Sequence, residues 1–264
     1  MNRCQPKLAL FLTLLTVPQL FLAGCSGAPS ADILQKAKAA AAAGQWEHAE
    51  ILAEKAADQK DMEVDATILL ALSQHYQDKT VAALDTIEKA VELDPGSFAA
   101  QYFHGWLLCQ EKRWADALLP LKRALKLDTS NANVLVLLAK CSLHQNLIQG
   151  TSYLQALRRF DEYRDSAELY NTIALLWLGR PDYDMAKSYF LKALEKDPHN
   201  TVVLQNLAVL HDTYLNDETA ALKYYKSCLR ESQLAKDEVR AKAVVERLRQ
   251  LARRRSAASG GRDS

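Results

Sequence analysis

Small residues recur along most of this chain at an interval of 34 residues, and this interval constrains the fold more than any other feature of the sequence. One series consists of Ala37, Ala71, Gly105, Ala139, Ala174 and Ala208. A second series has the same spacings and consists of Ala49, Ala83, Ala117, Thr151, Ala186 and Ala220. Both series share one interval of 35 residues, at the same place in the chain. A fixed period of this length indicates a protein built from stacked copies of one small structural unit.

Each unit is predicted to contain two short helices. Larger apolar residues surround the small ones at helical spacing, as in Ala117, Leu118, Leu121 and Leu125. Small side chains on two helices allow their axes to approach toward the short end of the usual range of about 8 to 10 Å. Such a helix pair cannot bury its apolar faces alone and must stack on its neighbours. The chain is therefore predicted to be all-α.

Composition excludes several other classes of protein. The chain contains 9 glycines in 264 residues, too few for a turn-dense all-β fold or a glycine-rich phosphate loop. It carries 33 basic and 32 acidic side chains. Net charge therefore gives no support for a nucleic-acid partner.

The residues at fixed points of each unit resemble the tetratricopeptide repeat (TPR) family. That family has a small residue at position eight, an aromatic residue at seventeen, alanine at twenty and twenty-seven, and proline at thirty-two. Trp46, Trp114 and Tyr183 match the aromatic position, and Pro95 and Pro198 match the proline. The resemblance implies an α-α solenoid, wound as a right-handed superhelix, with repeats at 30–63, 64–97, 98–131, 132–166, 167–200 and 201–234.

The fourth repeat departs most from this pattern, and the chain continues beyond the sixth. Ile148, Thr151 and Arg158 stand at signature positions of repeat four, which leaves the geometry of its second helix open. Residues 235–254 carry an apolar stripe formed by Val239, Ala243, Val244, Leu248 and Leu251. This segment is predicted to be a helix that caps the last repeat. Residues 255–264 are predicted to be a disordered tail.

The N-terminal segment has the features of a bacterial lipoprotein signal. Arg3 and Lys7 precede an apolar run that ends at Leu22, and this run is too short to cross a bilayer comfortably. The next residues complete the sequence Leu22-Ala23-Gly24-Cys25, which resembles a lipobox. The resemblance implies that residues 1–24 are removed and that Cys25 receives the acyl chains, with 25–29 as a short linker. A plain secretory signal or an uncleaved anchor is the alternative interpretation.

The TPR resemblance also implies a binding surface. In that family the first helix of each repeat lines the concave wall of the superhelix. The positions that face this groove predict the following partner-binding residues: Ile68, Leu72, His75, Tyr76, Tyr102, Trp106, Cys109, Lys140, Asn171, Leu175, Leu178 and Gln205. Tyrosine and tryptophan are frequent anchors at interfaces. The alternative is that a neighbouring helix or the capping helix buries these aromatic side chains.

The predicted groove lacks the lysine and asparagine pattern of TPR domains that bind a C-terminal carboxylate. Family position five is occupied by Leu34, Ile68, Tyr102, Val136, Asn171 and Gln205. An apolar extended peptide or an amphipathic helix is therefore a better fit for the groove.

No catalytic constellation stands out in the sequence, so we expect no catalytic residue, no metal and no cofactor. Cys141 and His144 lie three residues apart and would supply half a metal site. A packed cysteine beside a solvent-facing histidine is the alternative interpretation.

The expected function is that of a TPR adaptor or scaffold lipoprotein in the bacterial cell envelope. Ser26 follows the lipidated position, which by resemblance to the enterobacterial sorting rule points to the outer membrane, facing the periplasm. The expected partners are envelope proteins or peptides, with no nucleic acid and no small-molecule substrate. Self-assembly as a homo-oligomer is one alternative, and a metal-dependent or thiol-dependent envelope protein is another.

Overall fold

A computed structural model describes residues 29–59, 63–180 and 182–260, and all regular secondary structure in these ranges is helical. The helices are α1 (Pro29–Ala42), α2 (Trp46–Ala57), α3 (Glu63–His75), α4 (Thr80–Leu93), α5 (Phe98–Gln110), α6 (Trp114–Leu127), α7 (Ala132–His144), α8 (Gly150–Leu157), α9 (Ala167–Leu178), α10 (Tyr183–Lys196), α11 (Thr201–Val209), α12 (Glu218–Leu234) and α13 (Glu238–Gly260), with a π-helical segment (Leu210–Tyr214) directly after α11. The proposed signal and Cys25 lie outside the described residues. No helix in the described ranges has both the length and the apolar character needed to span a bilayer.

The helices pack in consecutive pairs, within two compact units that comprise residues 29–156 and 157–260. In the first unit, α1 packs on α2, α3 on α4 and α5 on α6, and each second helix also contacts the next first helix. The first helices α1, α3, α5 and α7 also contact one another in sequence. In the second unit, α9 packs on α10, α10 on α11, α11 on α12 and α12 on α13. The predicted all-α fold of stacked helix pairs is confirmed, whereas the limits of the individual repeats stay a prediction.

Most first helices begin with the same type of cap. Their N-cap residues, whose side-chain oxygens accept a hydrogen bond from a backbone amide in the first turn, are Ser97, Asn131, Ser166 and Asn200. Free amides at the start of a helix otherwise lack a partner, and such a cap typically contributes about 1 kcal/mol to stability. These caps fix the start of α5, α7, α9 and α11.

The turn between the two helices of a pair contains a residue in the left-handed conformation. These residues are Gly44, Asp78, Lys112 and Asn146, with φ values of 72°, 59°, 59° and 54°, and they lie 34 residues apart. The next amide in each turn donates to a carbonyl five residues earlier, as Arg113 N does to Leu108 O at 2.8 Å. This bond closes the end of the first helix. The repeat period is therefore present in the backbone as well as in the side chains.

The small residues of the repeat lie where two helices meet. Ala37, Ala71 and Ala83 are fully buried. At Gly105 on α5, an added Cβ would lie 2.5 Å from Leu121 Cγ and 3.3 Å from the Leu121 backbone nitrogen on α6. Leu121 is itself fully buried. A larger residue at position 105 would therefore push against both a packed side chain and the helix backbone.

The second helix of the fourth repeat is short. The second helices α4, α6 and α10 have 14 residues each, whereas α8 has only 8. After Leu157 the chain forms turns until Ser166 caps α9. The loss of the signature residues in this repeat thus coincides with a truncated helix, and the boundary between the two compact units falls at its end.

The C-terminal helix α13 differs from the prediction in its apolar stripe and in its length. Val244 and Leu251 are buried against α12, but Val239 is 83% exposed and Ala243 is also exposed. The predicted stripe is therefore wrong at its first two positions. The helix continues to Gly260, so 255–260 are helical and not part of a disordered tail.

Replacing Gly105 by alanine is expected to lower the free energy of unfolding by about 1 to 3 kcal/mol, the usual effect of overpacking a core. Chemical denaturation monitored by circular dichroism measures the change. Gly96→Ala is the matched control, because its Cβ would meet only a side-chain oxygen of Asp94, at 3.2 Å, which can move. Equal losses in the two variants would contradict the packing role of Gly105.

Candidate functional site

Seven aromatic side chains form a contiguous cluster in the first unit. The aromatic cluster consists of Trp46, His75, Tyr76, Phe98, Tyr102, Phe103 and Trp106. Trp46 stacks on Tyr76 with ring centroids 4.1 Å apart, and His75 meets Trp106 edge-on at 5.1 Å. The cluster joins three helices, because Trp46 belongs to α2, His75 to α3 and Trp106 to α5.

The aromatic cluster is buried at its centre and open at its margin. Tyr102 and Trp106 are 6% and 7% exposed, whereas Tyr76 is 41% exposed. Trp46 and Phe103 are partly exposed. A rigid, half-exposed aromatic surface that is supported from below is the type of surface that anchors an apolar side chain of a partner.

An aromatic residue at the start of a second helix packs on the end of the next first helix. Trp46 contacts Tyr76 in this way, and Trp114 stacks on His144 with centroids 4.1 Å apart. Both pairs are 30 residues apart in sequence. In the second unit Tyr183 contacts Tyr214, 31 residues later, with centroids 5.1 Å apart. The π-helical segment Leu210–Tyr214 adds one residue to the turn, which accounts for the longer interval.

Several residues predicted to face a partner are buried between helices. These are Ile68, Tyr102, Trp106, Cys109 and Asn171, none of which is more than 7% exposed. For Tyr102 and Trp106 this burial agrees with the alternative interpretation that neighbouring helices cover the aromatic residues, and contact of these five residues with a partner stays a prediction. The physical reason is that consecutive first helices contact one another, so these side chains fill the space between them.

The remaining predicted residues in the first unit are accessible to differing degrees. Leu72 and His75 are partly exposed, and Leu72 packs against the core of the unit. The Lys140 ammonium lies 5.2 Å from the centroid of the Trp114 ring. The accessible part of the predicted surface in the first unit therefore consists of Leu72, His75, Tyr76 and Lys140, of which His75 and Tyr76 belong to the margin of the aromatic cluster.

In the second unit the predicted residues take part in a polar network. Asn171 Oδ1 accepts a hydrogen bond from Asn206 Nδ2 at 2.8 Å, and both side chains are buried. Gln205 Oε1 accepts one from Arg240 Nη1 on α13, also at 2.8 Å. Leu175 and Leu178 are partly exposed. Two of these four predicted groove residues therefore bind other parts of the chain.

Asp212 links the π-helical segment to α13. Its carboxylate accepts a hydrogen bond from Arg247 Nε at 2.6 Å and another from the Tyr225 hydroxyl at 3.2 Å. The Asp212 side chain is 3% exposed. Arg255 on α13 is likewise paired, with Glu218 at 2.5 Å. These arginines thus fasten α13 to its own unit.

Cys141 and His144 contact different partners. Cys141 is fully buried and its Sγ lies 3.2 Å from Cys109 Sγ. His144 is exposed and stacks on Trp114. Within the described residues, no three histidine, cysteine, aspartate or glutamate side chains are grouped as a metal ion would require.

Burial changes the pKa of the histidine in the aromatic cluster. It lowers the pKa of His75 below the ordinary value near 6.5, because the charged ring is less well solvated there, although Glu111 and Asp78 act in the opposite direction. Burial also raises the pKa of Tyr102 to about 12. Both rings are therefore neutral near pH 7.

Trp46, Phe98 and Phe103 belong to the aromatic cluster but are not among the residues predicted from family positions. Trp46 is the first residue of α2, the second helix of its pair, whereas the family positions that predict the groove all lie on first helices. The recurring interval of 30 residues between Trp46 and Tyr76, and between Trp114 and His144, is a sequence signal that identifies this contact. Phe103 carries no comparable signal.

Comparison with known proteins identifies the fold. No protein-family model matches the sequence, and no curated protein matches it either. Among solved structures, the chain is similar to YrrB, described as a TPR protein with an unusual peptide-binding site, with a TM-score of 0.57 and 19% identity over 74% of this chain and 97% of that chain. It is also similar to MamA, with a TM-score of 0.57 and 17% identity over 66% of this chain and 93% of that chain. The fold is therefore that of a TPR solenoid protein.

Lowering the pH from about 7.5 to about 5.5 is expected to destabilise the fold, because the unfolded state binds a proton at His75 more readily than the folded state does. Stability from this residue is present above the ordinary histidine pKa and is lost as the pH falls. Urea denaturation at several pH values measures the slope of the free energy of unfolding against pH. The slope should flatten in His75→Phe but not in the control His48→Phe, whose position is exposed on α2. An unchanged slope in His75→Phe would refute the assignment.

Proposed function

We propose that this chain is a non-catalytic adaptor that binds a protein partner through the margin of the aromatic cluster. The observation that carries the proposal is the arrangement of Trp46, Tyr76 and Phe103, which are partly or largely exposed above the buried Tyr102 and Trp106. Aromatic anchors held rigidly on helices lose little conformational entropy on binding. The fold it shares with YrrB, a protein described as having a peptide-binding site, is consistent with this use of the surface.

The chemistry of the surface favours an apolar or aromatic segment in the partner. The side chains at the margin offer ring faces and aliphatic groups, and in the first three repeats family position five carries none of the basic or amide groups that would hold a terminal carboxylate. Leu34, Ile68 and Tyr102 occupy that position in the first three repeats and are buried. An amphipathic helix or an extended apolar peptide is therefore the proposed ligand.

The second unit is a weaker candidate for the binding surface. Gln205, a predicted groove residue, and Asp212 of the π-helical segment are both hydrogen-bonded to arginines of α13. A partner would have to break these bonds before using the same groups. The first unit has no comparable requirement at Tyr76.

We further propose that the adaptor is anchored to the membrane of a bacterial cell envelope through acyl chains on Cys25. Support comes from the sequence Leu22-Ala23-Gly24-Cys25 at the end of a short apolar run. Because α1 begins at Pro29, the connecting segment spans at most about 14 Å when extended. Partners of such an adaptor would lie in or against the same membrane, where tethering raises their effective concentration. Residue 26 is serine, which favours the outer membrane facing the periplasm.

Peptides selected from a random library displayed on phage are expected to contain apolar or aromatic anchors and to bind Tyr76→Ala about tenfold or more weakly than the unchanged chain. Fluorescence anisotropy with a labelled selected peptide measures the affinity. The matched control is Tyr214→Ala, because Tyr214 is 37% exposed and also contacts an aromatic residue at the start of a second helix.

Equal binding by the unchanged chain and Tyr76→Ala would reject the aromatic cluster as the docking site. Light scattering on the same samples separates peptide binding from self-assembly, since a homo-oligomer that uses this surface would dissociate in Tyr76→Ala without added peptide.

Cys25→Ala is expected to abolish attachment to membranes or to leave an uncleaved precursor, since the acyl chains would supply nearly all of the membrane affinity at about 0.8 kcal/mol per buried CH₂. Membrane fractionation and intact-mass measurement follow the outcome. Cys4→Ala, in the same N-terminal segment, is the matched control and should be processed normally. Normal processing and membrane retention of Cys25→Ala would disprove the lipoprotein assignment.

A further inference from the structure

Two buried thiols face each other between the first helices of neighbouring helix pairs. Cys109 lies near the end of α5, Cys141 lies in α7, and their Sγ atoms are 3.2 Å apart. Neither residue is more than 3% exposed. The third cysteine in the described residues, Cys228, belongs to the second unit, where its Sγ lies 3.3 Å from the Thr201 carbonyl oxygen.

The separation of the two sulfur atoms is shorter than a relaxed non-bonded contact and longer than a covalent bond. A disulfide has an S–S distance of about 2.05 Å, so the two sulfur atoms would need to approach by roughly 1 Å. The two thiols therefore already face each other, at a distance that an approach of this size would convert into a disulfide bond.

A metal site explains the pair less well. Zinc held by cysteine takes four ligands in structural sites, and the nearest candidate in sequence, His144, stacks on Trp114 instead. In the described residues no group of three potential ligands surrounds the thiols. The pair is thus suited to reaction with itself.

We propose that Cys109 and Cys141 form an intramolecular disulfide when the chain folds in the presence of an oxidising disulfide. One cysteine thiolate attacks the disulfide of the oxidant, forms a mixed disulfide and releases the first thiolate of the oxidant. The second cysteine thiolate then attacks the protein sulfur of the mixed disulfide, which forms the Cys109–Cys141 bond and releases the second thiolate. The two protons of the cysteines pass to the two released thiolates, and the oxidant is reduced to two thiols.

The reaction belongs to folding because the finished structure buries both sulfur atoms. An oxidant has access to the thiols only before α5, α6 and α7 have packed together. Disulfides persist in oxidising compartments, and the envelope location proposed above would supply one. The chemistry itself does not depend on that location or on partner binding.

The two thiols differ in their electrostatics in the folded chain. The hydrogen bond from the Cys109 thiol lowers the pKa of Cys141, and the neighbouring Lys140 ammonium acts in the same direction. The hydrogen bond with Cys141 and burial raise the pKa of Cys109. In the folded chain Cys141 is therefore the more readily ionised of the two thiols.

The bond would join α5 to α7 next to the aromatic cluster. Cys109 follows Trp106 by less than one helical turn on α5. A covalent link at this point would restrict movement of α5 relative to α7, and so would hold Tyr102 and Trp106 in place. The disulfide would thus rigidify the support of the surface proposed to bind a partner.

The test refolds the purified full chain from denaturant in a mixture of reduced and oxidised glutathione. Free thiols are then alkylated in denaturant, and the chain is digested with trypsin. The expected product is a disulfide-linked pair of peptides 90–112 and 141–158, which contain Cys109 and Cys141, while peptide 227–230 carries an alkylated Cys228. Reduction should separate the linked pair.

Two further measurements connect the bond to stability. The oxidised chain is expected to melt roughly 5 °C or more above the reduced chain, because the link restricts the unfolded state. Cys109→Ala should remove this difference, and the matched control Cys228→Ala should retain it. Recovery of both peptides in alkylated form after oxidative refolding, or linkage of either one to another cysteine, would overturn the proposal.

Discussion

The structure depends on close approach between helices at the small residues of the repeat. Leu121 packs where Gly105 has no side chain, and a methyl group there would lie 2.5 Å from the Leu121 side chain. Protein cores are too tightly packed to absorb such an overlap without movement of the backbone. Because α5 also contacts α3 and α7, the close approach of α5 and α6 at Gly105 affects the positions of those two helices as well. The aromatic cluster lies on α2, α3 and α5, so it depends on these positions.

The fold could be predicted from the sequence because its main constraint, the close approach of paired helices, requires small residues at positions that recur every 34 residues. The turns could not be predicted with equal certainty. Glycine and asparagine, as at Gly44 and Asn146, adopt the left-handed conformation readily. Lys112 also adopts it, with φ of 59°, although a lysine side chain does not favour this conformation. The conformation of the π-helical segment Leu210–Tyr214 likewise depends on packing. Local propensity is too weak to specify either feature, and the surrounding helices impose both.

The candidate site was only partly accessible to sequence reasoning. Family positions predict which residues of the first helices face the groove, but they do not tell how far neighbouring helices cover each side chain. Ile68 and Tyr102 are covered because consecutive first helices touch, whereas Tyr76 stands at the end of α3 and stays 41% exposed. Trp46 was missed because it approaches from a second helix. The contact between Trp46 and Tyr76 joins two helices that belong to different repeats, so no pattern within one repeat contains both residues.

The two units use one repeat period with different chemistry between their first helices. In the first unit the contacts are aromatic and thiol contacts, such as His75 with Trp106 and Cys109 with Cys141. In the second unit Asn171 bonds to Asn206, and Asp212 binds Arg247. Buried polar groups must find partners within the protein, since leaving one unpaired costs about 1 to 3 kcal/mol. In the second unit these polar groups therefore bind other parts of the same unit, whereas apolar rings in the first unit, which have no such requirement, stay partly exposed.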